Sequence, residues 1–94
     1  MKIRGLIWLE HIVEKLLWKH HVQHEEVREV LTSHARFFFV EKGHRPGEDV
    51  YVALGQTEAG RYLAVFFVYT DDRRALILSA RDMTDSERKR YERK

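Results

Sequence analysis

Tyr62-Leu63-Ala64-Val65-Phe66-Phe67-Val68-Tyr69 is an uncharged run rich in aromatic and β-branched residues. Such a run suits a strand. In a strand, Tyr62, Ala64, Phe66 and Val68 face one way and Leu63, Val65, Phe67 and Tyr69 the other. Apolar side chains on both faces need cover on both, so this segment is expected at the centre of a sheet.

Downstream, Thr70-Asp71-Asp72-Arg73 turns the chain into a second apolar strand, Ala75–Ala80. The character then changes at Thr84. Thr84 and Glu87 form the T-x-x-E capping box, with Asp85 in the first turn where a carboxylate suits the helix dipole. Upstream, Thr57-Glu58-Ala59-Gly60 closes a hairpin with Val50–Gly55, and Gly60 is free to take positive φ. Gly43 to Gly47 is a turn cluster, and Phe37 to Val40 reads as a further strand.

Nearer the N-terminus the period changes. Leu9, Ile12, Val13, Leu16, Leu17 and His20 form one helical stripe, which predicts a helix over 10–20. Val22 to Thr32 repeats the pattern, with Val27, Val30 and Leu31 apolar. A break near His21–Gln23 makes two helices. Gln23 is a poor N-cap, which leaves that boundary soft. Ile3 to Leu9 reads either as a first strand or as the lead into the helix. The order α-α-β-β-β-β-α predicts an α+β fold, a single two-layer domain over residues 1–94. Its sheet is an antiparallel β-meander, with the N-terminal helices packed on one face and a C-terminal helix following. Only Met83 and Tyr91 are large apolar groups near that last helix. The second sheet face is therefore expected to stay open, as a docking face for a protein partner or a second copy.

Composition narrows the function classes. There is no cysteine, hence no disulfide framework and no zinc–thiolate site, which fits a reducing cytoplasm. No apolar run reaches the length of a membrane span, and residues 1–20 lack the apolar core of a signal peptide. The net charge is +2, but Arg88, Lys89, Arg90, Arg93 and Lys94 crowd the tail against one acid, Glu92. Such a patch serves nucleic acid or an acidic protein, or simply opposes the C-terminal helix dipole.

Candidate chemistry is sparse elsewhere. His20 and His24 are four apart, but the expected helix break lies between them and a third metal ligand is not evident. His20 also reads as a partly buried, hydrogen-bonded member of the apolar stripe. No nucleophile elbow, Walker A loop or dinucleotide fingerprint is present. The strand-to-helix corner is better furnished. Glu87, Arg88 and Tyr91 share a helix face, continued by Lys94; Arg81 ends the preceding strand, and Lys19 and His20 end the first helix. Cations that hold phosphate oxygens, with groups that move protons, are what cleaving RNA without a metal requires. The simpler reading is a salt-bridged helix cap. Glu87 is ambiguous, because a capping carboxylate already bonded to backbone is less free to act as a base.

The ending I-x-S-A-R-D-M-T-x-x-E-R-x-x-Y, Ile77 to Tyr91, resembles the C-terminal signature of the BrnT family of toxins. The rest follows in order: Trp8 and Glu10 as W-x-E, Lys19-His20-His21-Val22, Glu25-Glu26-Val27, Gly47 to Gly55 as G-E-D-V-Y-V-A-L-G, and Thr57 to Arg61 as T-E-A-G-R. The resemblance implies a RelE-like ribonuclease fold and an endoribonuclease toxin of a type II toxin–antitoxin pair, cutting RNA and slowing translation without cofactor or metal. It implies RNA as substrate and a BrnA-like antitoxin with a ribbon-helix-helix DNA-binding part, in a homodimer or heterotetramer. It points to Arg81, Arg61 and Lys19 for phosphate binding, with Arg88 as a further RNA contact, and to His20, Glu87 or Tyr91 for proton transfer. Two positions depart from the family pattern. Leu9 follows Trp8 where aspartate is usual, and Gln56 stands where arginine is frequent. They favour a second reading, a non-catalytic RNA-binding or protein-interaction domain on the same scaffold.

Overall fold

In the computed structural model, which describes residues 1–93, the run quoted above is the middle strand of five. The elements are β1 (Gly5–Ile7), α1 (Glu10–His20), α2 (His24–Thr32), β2 (Arg36–Glu41), β3 (Val50–Gln56), β4 (Tyr62–Tyr69), β5 (Arg74–Asp82) and α3 (Asp85–Glu92). The sheet order is β1-β5-β4-β3-β2. β2 to β5 form the expected antiparallel meander. The addition is β1, which pairs parallel to β5, Leu6 opposite Ala75. Three residues are too few to show a period, so the sequence leaves strand and helix lead-in indistinguishable there.

Both faces of β4 are covered. Leu63, Val65 and Phe67 are buried beneath Ile12 and Leu16 of α1, Val22 between the helices, and Val27, Val30 and Leu31 of α2. The predicted stripe of α1 is narrower than expected: Leu9 and Leu17 are exposed and His20 is half-buried. On the other face Ala64 is buried with Val52 and Leu54, and Phe38, Phe66, Met83 and Tyr91 pack around them. The expectation of an open second face is thus corrected. α3 lies over it without burying any residue of its own, and four guanidinium groups complete the cover. Arg36 and Arg90 sit over Phe38, Arg81 over Phe66, and Arg88 over Tyr62 at 3.9 Å. Arginine closes an aromatic surface in this way through its flat, weakly hydrated cation. Arg36 also donates to the carbonyls of Arg90, Tyr91 and Arg93 at the end of α3. Large apolar side chains stay exposed at Phe39 and Val40 on the edge strand β2, and at Leu78.

Leu78 marks a bulge. Phe67 pairs with Ile77 but Phe66 pairs with Ser79, so Leu78 is the extra residue. The bulge inverts the alternation of β5. Before it, Ala75 and Ile77 face α1 and α2; after it, Ala80 and Asp82 do, while Ser79 and Arg81 face α3.

Helix α2 packs close to the sheet at Gly55. A Cβ there would lie 2.9 Å from Val30 Cγ1 and 3.4 Å from the Ala35 Cβ. Gly55→Ala is therefore expected to destabilise the fold by about 1–3 kcal/mol through overpacking. Urea denaturation checks this; an unchanged midpoint would show that α2 shifts freely over β3.

Candidate functional site

The end of the sheet where β3 finishes, β4 starts and β5 finishes carries two groups of polar side chains, one on each face. On the helix side the centre is Arg61. Its Nε donates to Asp82 at 2.7 Å, Nη1 to the His21 carbonyl at 2.6 Å, and Nη2 to the His20 carbonyl at 3.0 Å. Glu26 lies 3.3 Å from Nη1. The hydrogen bond to Asp82 holds the guanidinium pKa above its ordinary value against the opposing effect of burial, with help from the charges of Asp82 and Glu26.

Local structure explains why two carbonyls meet there. His21 takes φ 54°, the left-handed conformation that ends α1, and His is one of the few non-glycine residues enriched in it. The His21 and Val22 N–H groups return to the carbonyls of Leu17 and Leu16, while the Val22 side chain drops into the core. The His21 bond is the single four-residue return of an αL helix end, and the Val22 N–H reaches one residue further back than in a Schellman end. Helix α2 then starts at Gln23, whose N–H donates to Glu26 at 3.0 Å. The boundary that looked soft is held by the residue three positions on, a relation the weak capping tendency of glutamine conceals.

On the α3 side, Arg81 and Glu87 form a two-pronged ion pair, Nη1 to Oε1 at 2.7 Å and Nη2 to Oε2 at 2.9 Å. Glu87 also accepts the Thr84 N–H at 2.8 Å, and Thr84 Oγ1 accepts the Glu87 N–H, so the capping box forms as expected. The Arg81 hydrogen bond, followed by the Thr84 N–H and the Arg81 charge, pulls the Glu87 carboxyl below its ordinary pKa despite partial burial. Arg88 stacks on Tyr62, and Tyr91 meets Tyr62 edge-on with centroids 6.0 Å apart.

The seven side chains singled out from sequence therefore separate into two kinds. Arg61, Arg81 and Glu87 are engaged by intramolecular partners. Lys19, His20 and Tyr91 have no side-chain hydrogen bond among the described residues, and Arg88 has only a loose contact of 3.6 Å with Glu92. His20 and Lys19 lie with Arg61 on the helix side; Arg81, Glu87, Arg88 and Tyr91 lie across the sheet rim. Lys94 falls outside the described residues. The Gln56 side-chain amide donates to the Gly60 carbonyl at 3.1 Å and braces the hairpin. The sequence did not connect Tyr91 with His34 and Ser33, which share a polar cleft with Gln56, Glu29 and Glu58. Those residues come from three separate stretches of the chain, so no spacing signal links them. His20 and His24 end up on different helices, and no group of three His, Asp or Glu side chains suited to a metal ion exists among the described residues.

The sign of the Glu87 effect is fixed. A depressed carboxyl pKa contributes stability that is fully present above the ordinary value of 4.5 and lost as pH falls through the lowered folded value. Glu87→Gln is expected to cost about 1 kcal/mol at neutral pH, and its deficit should shrink below about pH 4 as the native carboxylate protonates. Thermal melts of both proteins across that range test this. Arg61→Ala is expected to cost more, about 2–4 kcal/mol, because it strands Asp82, Glu26 and two carbonyls together; a melting temperature within a degree or so of wild type would contradict it.

Comparison with known proteins completes the assignment. A family profile described as "Ribonuclease toxin, BrnT, of type II toxin-antitoxin system" matches residues 8–87, leaving Arg88 and Tyr91 beyond the matched span. No curated protein matches the chain. Among solved structures, the 1.1 Å crystal structure of the Brucella abortus ribonuclease toxin BrnT is similar at a TM-score of 0.62 and 17% identity, over 89% of this chain and 100% of that one. The likeness extends to the fold, and with the profile covering most of the sequence, the chain belongs to the BrnT family of ribonuclease toxins of type II toxin–antitoxin systems.

Proposed function

We propose that the chain is a metal-independent endoribonuclease that slows translation by cutting RNA, and that a BrnA-like antitoxin with a ribbon-helix-helix part holds it inactive. The observation that carries the residue assignment is the state of His20. Its carbonyl is fixed by Arg61 at 3.0 Å, while its imidazole, half-buried at the end of α1, makes no hydrogen bond among the described residues. Imidazole is the side chain best suited to trading protons near neutral pH, and the exposed Lys19 beside it supplies a cation for a phosphate oxygen.

RNA brings its own nucleophile. The 2′-oxygen forms a bond to phosphorus as the bond from phosphorus to the 5′-oxygen breaks. The 2′-hydroxyl proton passes to a base, and a proton is delivered to the departing 5′-oxygen, leaving a cyclic phosphate and a free 5′-hydroxyl. His20 is the group we assign to proton transfer, with Lys19 on the phosphate. Arg88 and Tyr91 are assigned to the RNA backbone on the far side of the rim. Arg61 becomes a positioning residue for the end of α1, and Arg81 with Glu87 a positioning pair for α3, since each must break a native ion pair before touching RNA.

Purified protein incubated with RNA in EDTA is expected to cleave it. His20→Asn should lower the rate by about 10²-fold or more with an unchanged melting temperature and RNA affinity. Undiminished cleavage by His20→Asn would remove His20 from the chemistry. Intact RNA with wild-type protein, together with no growth arrest on induced expression, would sink the enzymatic reading and favour the non-catalytic one.

A further inference from the structure

Trp18 is 82% exposed, the most exposed large hydrophobic side chain described. Its neighbours on the outer face of α1 are His11, Glu14, Lys15 and Lys19, which line one shallow concavity with it. Leu17, also exposed, belongs to a different surface, the cleft between α1 and α2 shared with Val13, Val22 and Gln23. The indole is therefore an isolated aromatic plane among charged groups and not the centre of an apolar patch. Elsewhere in the molecule aromatic rings next to arginine are already stacked, as Phe38, Phe66 and Tyr62 are. No guanidinium or ring stacks on Trp18 among the described residues.

We propose that Trp18 is a stacking platform for an unpaired base of a single-stranded RNA whose backbone is held by Lys15 and Lys19. This rests on the ribonuclease reading and adds to it the surface along which the strand leaves the scissile phosphate. A nucleobase requires a free π-face with cations beside it to meet the neighbouring phosphates, and this is the combination α1 presents. Glu14 is the one carboxylate in the concavity, and the two lysines outweigh it. Lys19 is common to this surface and to the group around His20; Trp18 lies about 3 Å along the helix axis and about 160° around it from His20, so the strand passes round the end of α1 at Lys19. A protein partner would instead need a contiguous apolar patch around the tryptophan.

The test uses a short 2′-O-methyl oligoribonucleotide of mixed sequence, which lacks the nucleophile and so reports binding alone. Because the side chain is so exposed, Trp18→Leu and Trp18→Phe are both expected to fold as wild type, which their melting curves verify. Trp18→Leu keeps apolar area but loses the ring, and should bind the oligonucleotide about tenfold more weakly. Trp18→Phe should retain most of the affinity. Equal affinity of Trp18→Leu and wild type overturns the proposal, as does a Trp18→Leu protein that binds RNA normally but loses a co-expressed antitoxin. Wild-type protein with no affinity for the oligonucleotide overturns both this proposal and the ribonuclease reading. Binding that depends on the ring, with unmodified RNA left intact, supports the platform and overturns only the ribonuclease reading.

Discussion

The Arg61 guanidinium is the contact on which the functional end of this molecule depends. It reaches the last carbonyls of α1, the first turn of α2 and the end of β5 at once. The end of a helix presents carbonyls without intrahelical partners and a partial negative charge. At most helix ends water or a following turn answers both. Here a left-handed His21 turns the chain so sharply that two carbonyls point at one place, and a fixed five-donor fork is the group that can serve them together. Asp82 and Glu26 then balance its charge. The α1–α2 corner is thus held to the sheet by one side chain, in addition to the apolar contacts of Val22 beneath it.

Asp82 is available for this only because of the bulge at Leu78. In an unbroken strand Asp82 would face α3 and Arg81 would face the helical layer. The extra residue inverts the two. Asp82 then meets Arg61, and Arg81 meets Glu87 and the Phe66 ring. Two neighbouring residues of opposite charge tie different layers to the same strand. α3, none of whose residues is fully buried, is held by the packing of Tyr91, by this ion pair, by the capping box, by the Arg36 bonds to its final carbonyls and by guanidinium stacking.

The parts legible in the sequence were those whose determinants are local. β4 showed itself as an eight-residue uncharged run rich in aromatic and β-branched residues, and the Thr84–Glu87 box through a spacing of three. The α1–α2 break was visible, though not its cause, because a histidine gives no strong sign of a left-handed turn. Three features lay out of reach. β1 is too short to carry a period. The bulge depends on register against a neighbouring strand. Arg61 finds partners 21, 35 and 41 residues away, so its motif position marked it as important without showing that its donors are consumed internally. The resemblance named the right family. It had no means of separating cations that hold the protein together from cations that face solvent.

That separation bears on how a domain with a net charge of +2 engages a polyanion. Net charge gives little long-range attraction at this size, so affinity has to come from local groups that are not already neutralised. Arg61 and Arg81 are neutralised by carboxylates within 3 Å. On the proposed reading the cations that meet phosphate are Lys15 and Lys19, which have no ion-pair partner among the described residues, and, across the rim, Arg88, which stacks on Tyr62 and lies 3.6 Å from Glu92. The first two lie on α1 beside His20, at a helix end whose backbone Arg61 immobilises. The arrangement fixes the main chain and leaves the side chains unengaged, which is the condition a preorganised site requires: positions set in advance, donors unspent. On the proposed function, the ion pairs and the free groups are parts of one design, and a substitution at Arg61 acts on RNA through where it leaves Lys19 and His20, with no need for Arg61 to touch the substrate.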